Sequence, residues 1–193
     1  MTTPRALTMT PEEIAYTAVR NGAVQKPAEL AELLELLCRR RPVRSVEIGV
    51  YHGGTLWAWR QVTTSSVLGI ESGVGVHEVR PTPDGTYVIP RDSHDPATVD
   101  ALRGCVEGRP IDFLFIDGDH TYAGVRRDWE LYSPLVRRNG GLVAFHDICH
   151  HRDPDMGVER LWAEIKHDAG ALLQTWEFIA EPTWWGGIGV VRL

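Results

Sequence analysis

The chain has 193 residues, 43% hydrophobic and 24% charged, with a net charge of -6. That length supports one domain with a core of its own, and the acidic balance argues against nonspecific binding to nucleic acid. Three widely spaced cysteines without a CxxC pair exclude a zinc ribbon or disulfide framework, and the lack of a signal-type start or long apolar run predicts a cytoplasmic protein with no membrane contact.

Met1 to Thr10 read as a loose arm. Thr10 and Pro11 then form an N-cap and first helical position, and Asn21-Gly22 ends that helix. A second helix covers Ala28 to Arg41, where Leu30, Leu33, Leu34 and Leu37 recur at helical spacing. Val43 to Ile48 read as a buried strand, followed by the glycine-rich stretch Gly49-Val50-Tyr51-His52-Gly53-Gly54-Thr55 and a helix to about Val62. Such a strand, turn and helix make the first unit of a nucleotide-type sheet, with free N–H groups at the helix start. An acid should then end the second strand, and Ser66 to Ile70 lead into Glu71.

A long loop with several glycines and prolines precedes a third strand, Thr86 to Pro90, which ends at Arg91-Asp92-Ser93-His94. Asp95 caps the next helix, with Pro96 at its first position. Ile111 to Ile116 are apolar throughout, as in a central parallel strand covered on both faces. They end in Asp117-Gly118-Asp119-His120, and Thr121 caps a helix that Pro134 should kink or divide before Asn139. Leu142 to Phe145 form another buried strand, ending in His146-Asp147. Val158, Leu161, Trp162 and Ile165 mark the last helix. Leu173 to Ile179 and Gly187 to Leu193 can pair as an antiparallel hairpin. The fold class is therefore α/β: a Rossmann-like, open, mostly parallel seven-stranded sheet with a C-terminal antiparallel hairpin and helices on both faces. Residues 1–24 read as an N-terminal arm and helix, and 25–193 as the catalytic domain.

Ligands of open α/β sheets bind at the carboxyl ends of the strands. Glu47, Glu71, Asp92, Asp117, His146 and Asp147 all fall there and are expected to share one crevice. A buried carboxylate requires partners, which favours a functional Glu47 and Asp117. Asp119 reads equally as a ligand or a helix cap. His120 and His146 each read as a catalytic or a structural histidine. His150 and His151 read as loop residues, and Trp184-Trp185 as either an acceptor platform or packing.

The glycine turn, Phe115-Ile116-Asp117-Gly118-Asp119-His120-Thr121-Tyr122 and Gly140-Gly141-Leu142-Val143-Ala144-Phe145-His146-Asp147 together resemble class I S-adenosylmethionine-dependent methyltransferases. The nearest type is the small macrocin and cephalosporin-biosynthesis O-methyltransferase, and the resemblance spans roughly Gln25 to Leu193. It implies that Glu47 and Gly49 to Gly54, with Tyr51, Gly53 and Thr55, hold the methionine end of S-adenosylmethionine. It further implies that Glu71 binds the ribose, that Asp92 and Ser93 lie near the adenine, and that Asp117 lies near the sulfonium. Metal-dependent relatives bind a divalent ion through positions that correspond to Asp117, His146 and Asp147. Two carboxylates, or a carboxylate and an amide, are commoner there than His-Asp. The imidazole moves the donor set away from Mg2+ and toward later metals.

The chemistry is coherent without that resemblance. Methyl transfer from a sulfonium is an in-line displacement that needs an oriented acceptor oxygen and a base. His120 suits the base by its ordinary pKa, and a chelated diol would have a lowered hydroxyl pKa. The acceptor is a small molecule, and a homo-oligomer is compatible with the sequence. Two alternatives stand beside the methyltransferase: a cofactor-binding protein of the same fold without transfer, and a nicotinamide-dependent dehydrogenase. The latter lacks the G-x-G-x-x-G spacing and a Tyr-x-x-x-Lys pair.

Overall fold

The computed structural model describes residues 9–73, 85–170 and 173–193. The arm before Met9 and most of the glycine- and proline-rich loop after Ser72 lie outside them. The chain opens with α1 (Pro11–Arg20). The Thr10 hydroxyl accepts from Glu13 N–H at 3.2 Å, and the Glu13 carboxylate accepts from Thr10 N–H at 2.7 Å. Two donors that a helix start would orphan are thereby satisfied. There follow α2 (Pro27–Arg40), β1 (Arg44–Ile48), α3 (Gly54–Val62), β2 (Ser66–Glu71), β3 (Thr86–Pro90), α4 (Pro96–Cys105) and β4 (Phe113–Ile116). The chain closes with α5 (Tyr122–Tyr132), β5 (Leu142–His146), α6 (Val158–Ala169), β6 (Thr175–Phe178) and β7 (Ile188–Arg192).

Seven strands among the described residues form one sheet in the order β3-β2-β1-β4-β5-β7-β6. Neighbours from β3 to β5 are parallel, and β7 runs antiparallel to both β5 and β6. This is the expected Rossmann-like sheet with its C-terminal hairpin. The strand order reverses between β1 and β4, which opens a crevice at their carboxyl ends.

The two-residue period of the strands divides the apolar residues between two cores. Val46, Ile48, Leu114, Ile116, Val143 and Phe145 face α4, α5 and α6. Phe113, Phe115, Leu142, Ala144 and Val190 face α1, α2 and α3. On that second side Trp59 is fully buried, its ring centroid 5.1 Å from those of Phe113 and of Phe115. Burying one such side chain contributes about 1.5–3 kcal/mol. Ile14, Ala15 and Ala18 of α1 are in the same core.

The fourth strand and the fifth helix are shorter than the sequence pattern predicts. The fourth strand starts at Phe113, not Ile111, which makes a single bridge to Val136. The Asp112 carboxylate accepts instead from the N–H groups of Val43 and Arg44, at 3.1 and 2.9 Å. Helix α5 stops at Tyr132, and a 3-10 turn at Ser133–Leu135 takes its place around Pro134. Proline has no N–H to carry the helix further.

Candidate functional site

The glycine turn after β1 is a joint between two strand ends. Gly49 has φ +84°, and a Cβ there would lie 2.0 Å from the Asp117 carbonyl oxygen. Only glycine allows this φ and this approach together. Val50 N–H and Tyr51 N–H both donate to Glu71 Oε2 at 2.9 Å, so the turn holds the Glu71 carboxylate in place. Gly53, with φ +79°, caps α3. Gly54 is buried, and a Cβ on it would meet the Ala18 carbonyl and the Ala23 amide nitrogen at 2.4 Å. Its lack of a side chain serves the packing of α3 against the end of α1.

A cavity of about 700 Å3 lies along the carboxyl edge. Its size falls within the usual range of small-molecule sites. Of the residues expected there, Gly49, Tyr51, Thr55, Glu71, Asp92, Ser93, Asp117, His120, His146 and Asp147 form its wall. Gly53 and Gly54 stand behind the wall, as does Glu47. The pleat explains Glu47: Val46 and Ile48 face one core, so the residue between them faces the other, beside Thr55 and Trp59.

Glu47 is fully buried, and among the described residues neither carboxyl oxygen has a hydrogen-bond partner within bonding geometry. Burial pushes its pKa well above the ordinary carboxyl value, against smaller opposing contributions from Thr55 and Trp59. The folded chain therefore keeps a proton that the unfolded chain releases above about pH 4.3. Stability is lost as pH rises through that window, by at most about 1.4 kcal/mol per pH unit. Glu47→Gln removes the titration. Its thermal midpoint should match the parent's near pH 4 and exceed it at pH 8. Equal midpoints at both pH values would contradict a protonated Glu47.

At the other end of the cavity two carboxylates and three histidines converge. Asp117 Oδ1 lies 3.0 Å from His120 Nε2 and 3.3 Å from His146 Nδ1. Asp147 Oδ2 lies 3.3 Å from His146 Nδ1 and 3.5 Å from His120 Nε2. Asp147 Oδ1 is 2.9 Å from His151 Nε2 and accepts from Gly186 N–H at 3.1 Å. These contacts hold Asp147 at φ +62°, a left-handed conformation that aspartate tolerates better than most residues.

The electrostatics follow from that packing. Burial lowers the affinity of His146 for a proton, but the facing Asp117 and Asp147 outweigh it and raise the pKa to about 10. Burial raises the Asp117 and Asp147 carboxyls, and the neighbouring histidines more than reverse this, leaving both below the ordinary value. The hydrogen bond to Asp117 raises His120 against its own desolvation. Asp117, His146 and Asp147 each offer one ligand atom, all within 4.8 Å of one another. Two oxygens and one nitrogen at such spacing suit a divalent ion with an N/O donor set.

Two contributors to this end escape the sequence pattern. Gln25, between α1 and α2, donates from Nε2 to Asp117 Oδ2 at 2.6 Å. His151 reads as a loop residue by sequence, yet its ring reaches Asp147. Trp185 also lines the cavity, whereas Trp184 is 54% exposed and is not part of the wall. Trp185 is held from below. Lys26 Nζ donates to the carbonyls of Ala180, Pro182 and Trp185 at 2.7, 2.7 and 2.8 Å, and Glu29 accepts from Ala180 and Gly187 N–H at 2.9 Å.

The model of a methyltransferase-domain family matches residues 46–148, just over half of the chain. An uncharacterized protein of Acanthamoeba polyphaga mimivirus is 34% identical over an alignment of 135 residues that covers 63% of this chain and 60% of that protein. The chain thus spans less than two thirds of this curated relative. An O-methyltransferase from Bacillus cereus, solved with SAH, superposes with a TM-score of 0.62 at 18% identity, covering 98% of this chain and 92% of its own. The MycE methyltransferase of the mycinamycin biosynthetic pathway, solved with Mg, SAH and mycinamycin VI, gives 0.68 at 18% identity, covering 95% and 54%. TomG from Streptomyces achromogenes, an O-methyltransferase involved in tomaymycin synthesis and solved with SAM, gives 0.63 at 17% identity, covering 95% and 89%.

Proposed function

The chain belongs to the methyltransferase-domain family, and from that premise we propose that it is an S-adenosylmethionine-dependent O-methyltransferase. Its acceptor is a hydroxylated small molecule of the secondary-metabolite or sugar type, and a divalent ion assists. One observation carries the reading: a single cavity has the anchored Glu71 carboxylate in its wall together with the Asp117, His120, His146 and Asp147 cluster. The ligands bound in the MycE and TomG structures support it. Residues 25–193 form the methyltransferase domain.

The residues present fit both groups. Glu71, held by two backbone amides, would accept from the ribose hydroxyls, and Asp92 with Ser93 would border the adenine. Asp117 would border the methionyl end. When bound, S-adenosylmethionine supplies an activated methyl group on a positively charged sulfur. Asp117, His146 and Asp147 would hold the ion, which when bound lowers the pKa of a coordinated hydroxyl. His120 takes the acceptor's proton at Nδ1. Its Nε2–H donates to Asp117 Oδ1, 3.0 Å away, and that carboxylate stabilises the imidazolium so formed. Trp185 closes the acceptor side of the cavity.

The test is a transfer assay with S-adenosylmethionine, a divalent ion and a panel of polyhydroxylated rings. Product masses should gain one methyl group on oxygen. Methyl groups found only on nitrogen or sulfur would contradict the reading. The ribose role has its own check. Glu71→Ala should weaken S-adenosylhomocysteine binding by about 1–3 kcal/mol, and unchanged affinity would remove Glu71 from the site.

A further inference from the structure

We propose that Gln25 is a binding residue for the amino-acid end of the cofactor: its Oε1 accepts a hydrogen bond from the methionyl ammonium while its Nε2 holds Asp117. The inference rests on the cofactor reading above and specifies one subsite within it.

Gln25 is 5% exposed and forms part of the cavity wall. Its amide has one settled half. Asp117 Oδ2 is an acceptor only, so the group 2.6 Å from it is the NH2. The carbonyl Oε1 is then committed to the other direction, and among the described residues it is buried without a partner. A buried carbonyl left without a donor costs about as much as a lost hydrogen bond. A ligand that brings a donor satisfies it.

The position of the segment says which part of the ligand that is. Gly22 lies against His52, where a Cβ would come within 2.6 Å of the His52 Cβ. Ala23 lies against Gly54, and Gln25 meets Asp117. Residues 22–25 thus run beside the glycine turn from its far side to the end of β4. They line the same cavity as Gly49, Val50 and Glu71, and Gln25 stands at its Asp117 end, which the cofactor reading gives to the amino acid. The hydrogen-bond chemistry selects the ammonium. Oε1 can only accept, and at the amino-acid end of the cofactor the ammonium donates whereas the carboxylate only accepts. A primary ammonium offers three donors, enough to reach both Oε1 and neighbouring acceptors.

The experiment compares two ligands by calorimetry. S-adenosylhomocysteine carries the ammonium, and 5′-methylthioadenosine keeps the nucleoside and sulfur but lacks the amino acid. Gln25→Leu should weaken S-adenosylhomocysteine binding about tenfold to a hundredfold, as expected for a lost bond to a charged group. It should leave 5′-methylthioadenosine affinity within twofold of the parent. Gln25→Met keeps the side-chain length in case leucine disturbs the packing, and it should give the same split. Parent-like affinity of both variants for S-adenosylhomocysteine would overturn the assignment, as would an equal loss for both ligands. A parent that binds neither ligand would overturn the cofactor reading itself, and this one with it.

Discussion

Removal of the divalent ion is expected to collapse methyl transfer by about a thousandfold or more while S-adenosylhomocysteine binding largely persists. The loss follows from a metal contribution of several kcal/mol at the reacting hydroxyl. Asp147→Ala should do the same, but it also frees Gly186 and His151 and puts alanine at φ +62°. Asp147→Asn is the cleaner variant, because asparagine tolerates that φ and can still accept from Gly186. The pH dependence has a definite sign. With its pKa raised to about 10 in the metal-free chain, His146 holds a proton between two carboxylates at neutral pH. That contribution to folding is present below about pH 6.5 and is lost as pH rises through about 10. An ion must displace the proton to use Nδ1, so metal affinity should rise with pH across the neutral range and loading should release protons. Full turnover by rigorously metal-free enzyme would exclude the ion.

The second large effect is at His120. His120→Ala should lower turnover about 10²–10⁴-fold, the usual contribution of a positioned base. Ion and cofactor binding should survive, because Asp117 keeps its contacts to His146 and Gln25 when the His120 ring is gone. His120 is partly exposed, with 37% of its side chain accessible, so an acceptor hydroxyl can reach it. Turnover within a few-fold of the parent would assign the proton to another acceptor.

What could be read from the sequence is what local pattern determines. Glu71, Asp117 and His146-Asp147 follow apolar strands directly, so their place at one sheet edge comes from chain order alone. Thr10, Asp95 and Thr121 were recognisable as caps because capping depends on the next three residues. Glu47 shows where this stops. Its place near a strand end was clear, but which face it takes depends on the pleat, and one position of parity sends it into the core behind the cavity. Gln25 lies 92 positions from Asp117, and no local signal links them. The available hint was a polar Gln25-Lys26 pair just before an apolar helical stripe. His151 reaches Asp147 only because the chain turns back at the positive φ of Asp147 itself. Gly49 was legible as a position that needs a close approach, but the approach seen in the structure is that of the Asp117 carbonyl and not of a ligand.

The most direct measurement is a calorimetric titration of the full chain with S-adenosylhomocysteine, repeated with the oxidised nicotinamide dinucleotide. S-adenosylhomocysteine should bind at one site per chain, more weakly in Glu71→Ala, and the dinucleotide should not compete. Tighter binding of the dinucleotide, or no binding of S-adenosylhomocysteine with and without a divalent ion, would contradict a methyl-transfer site at this sheet edge.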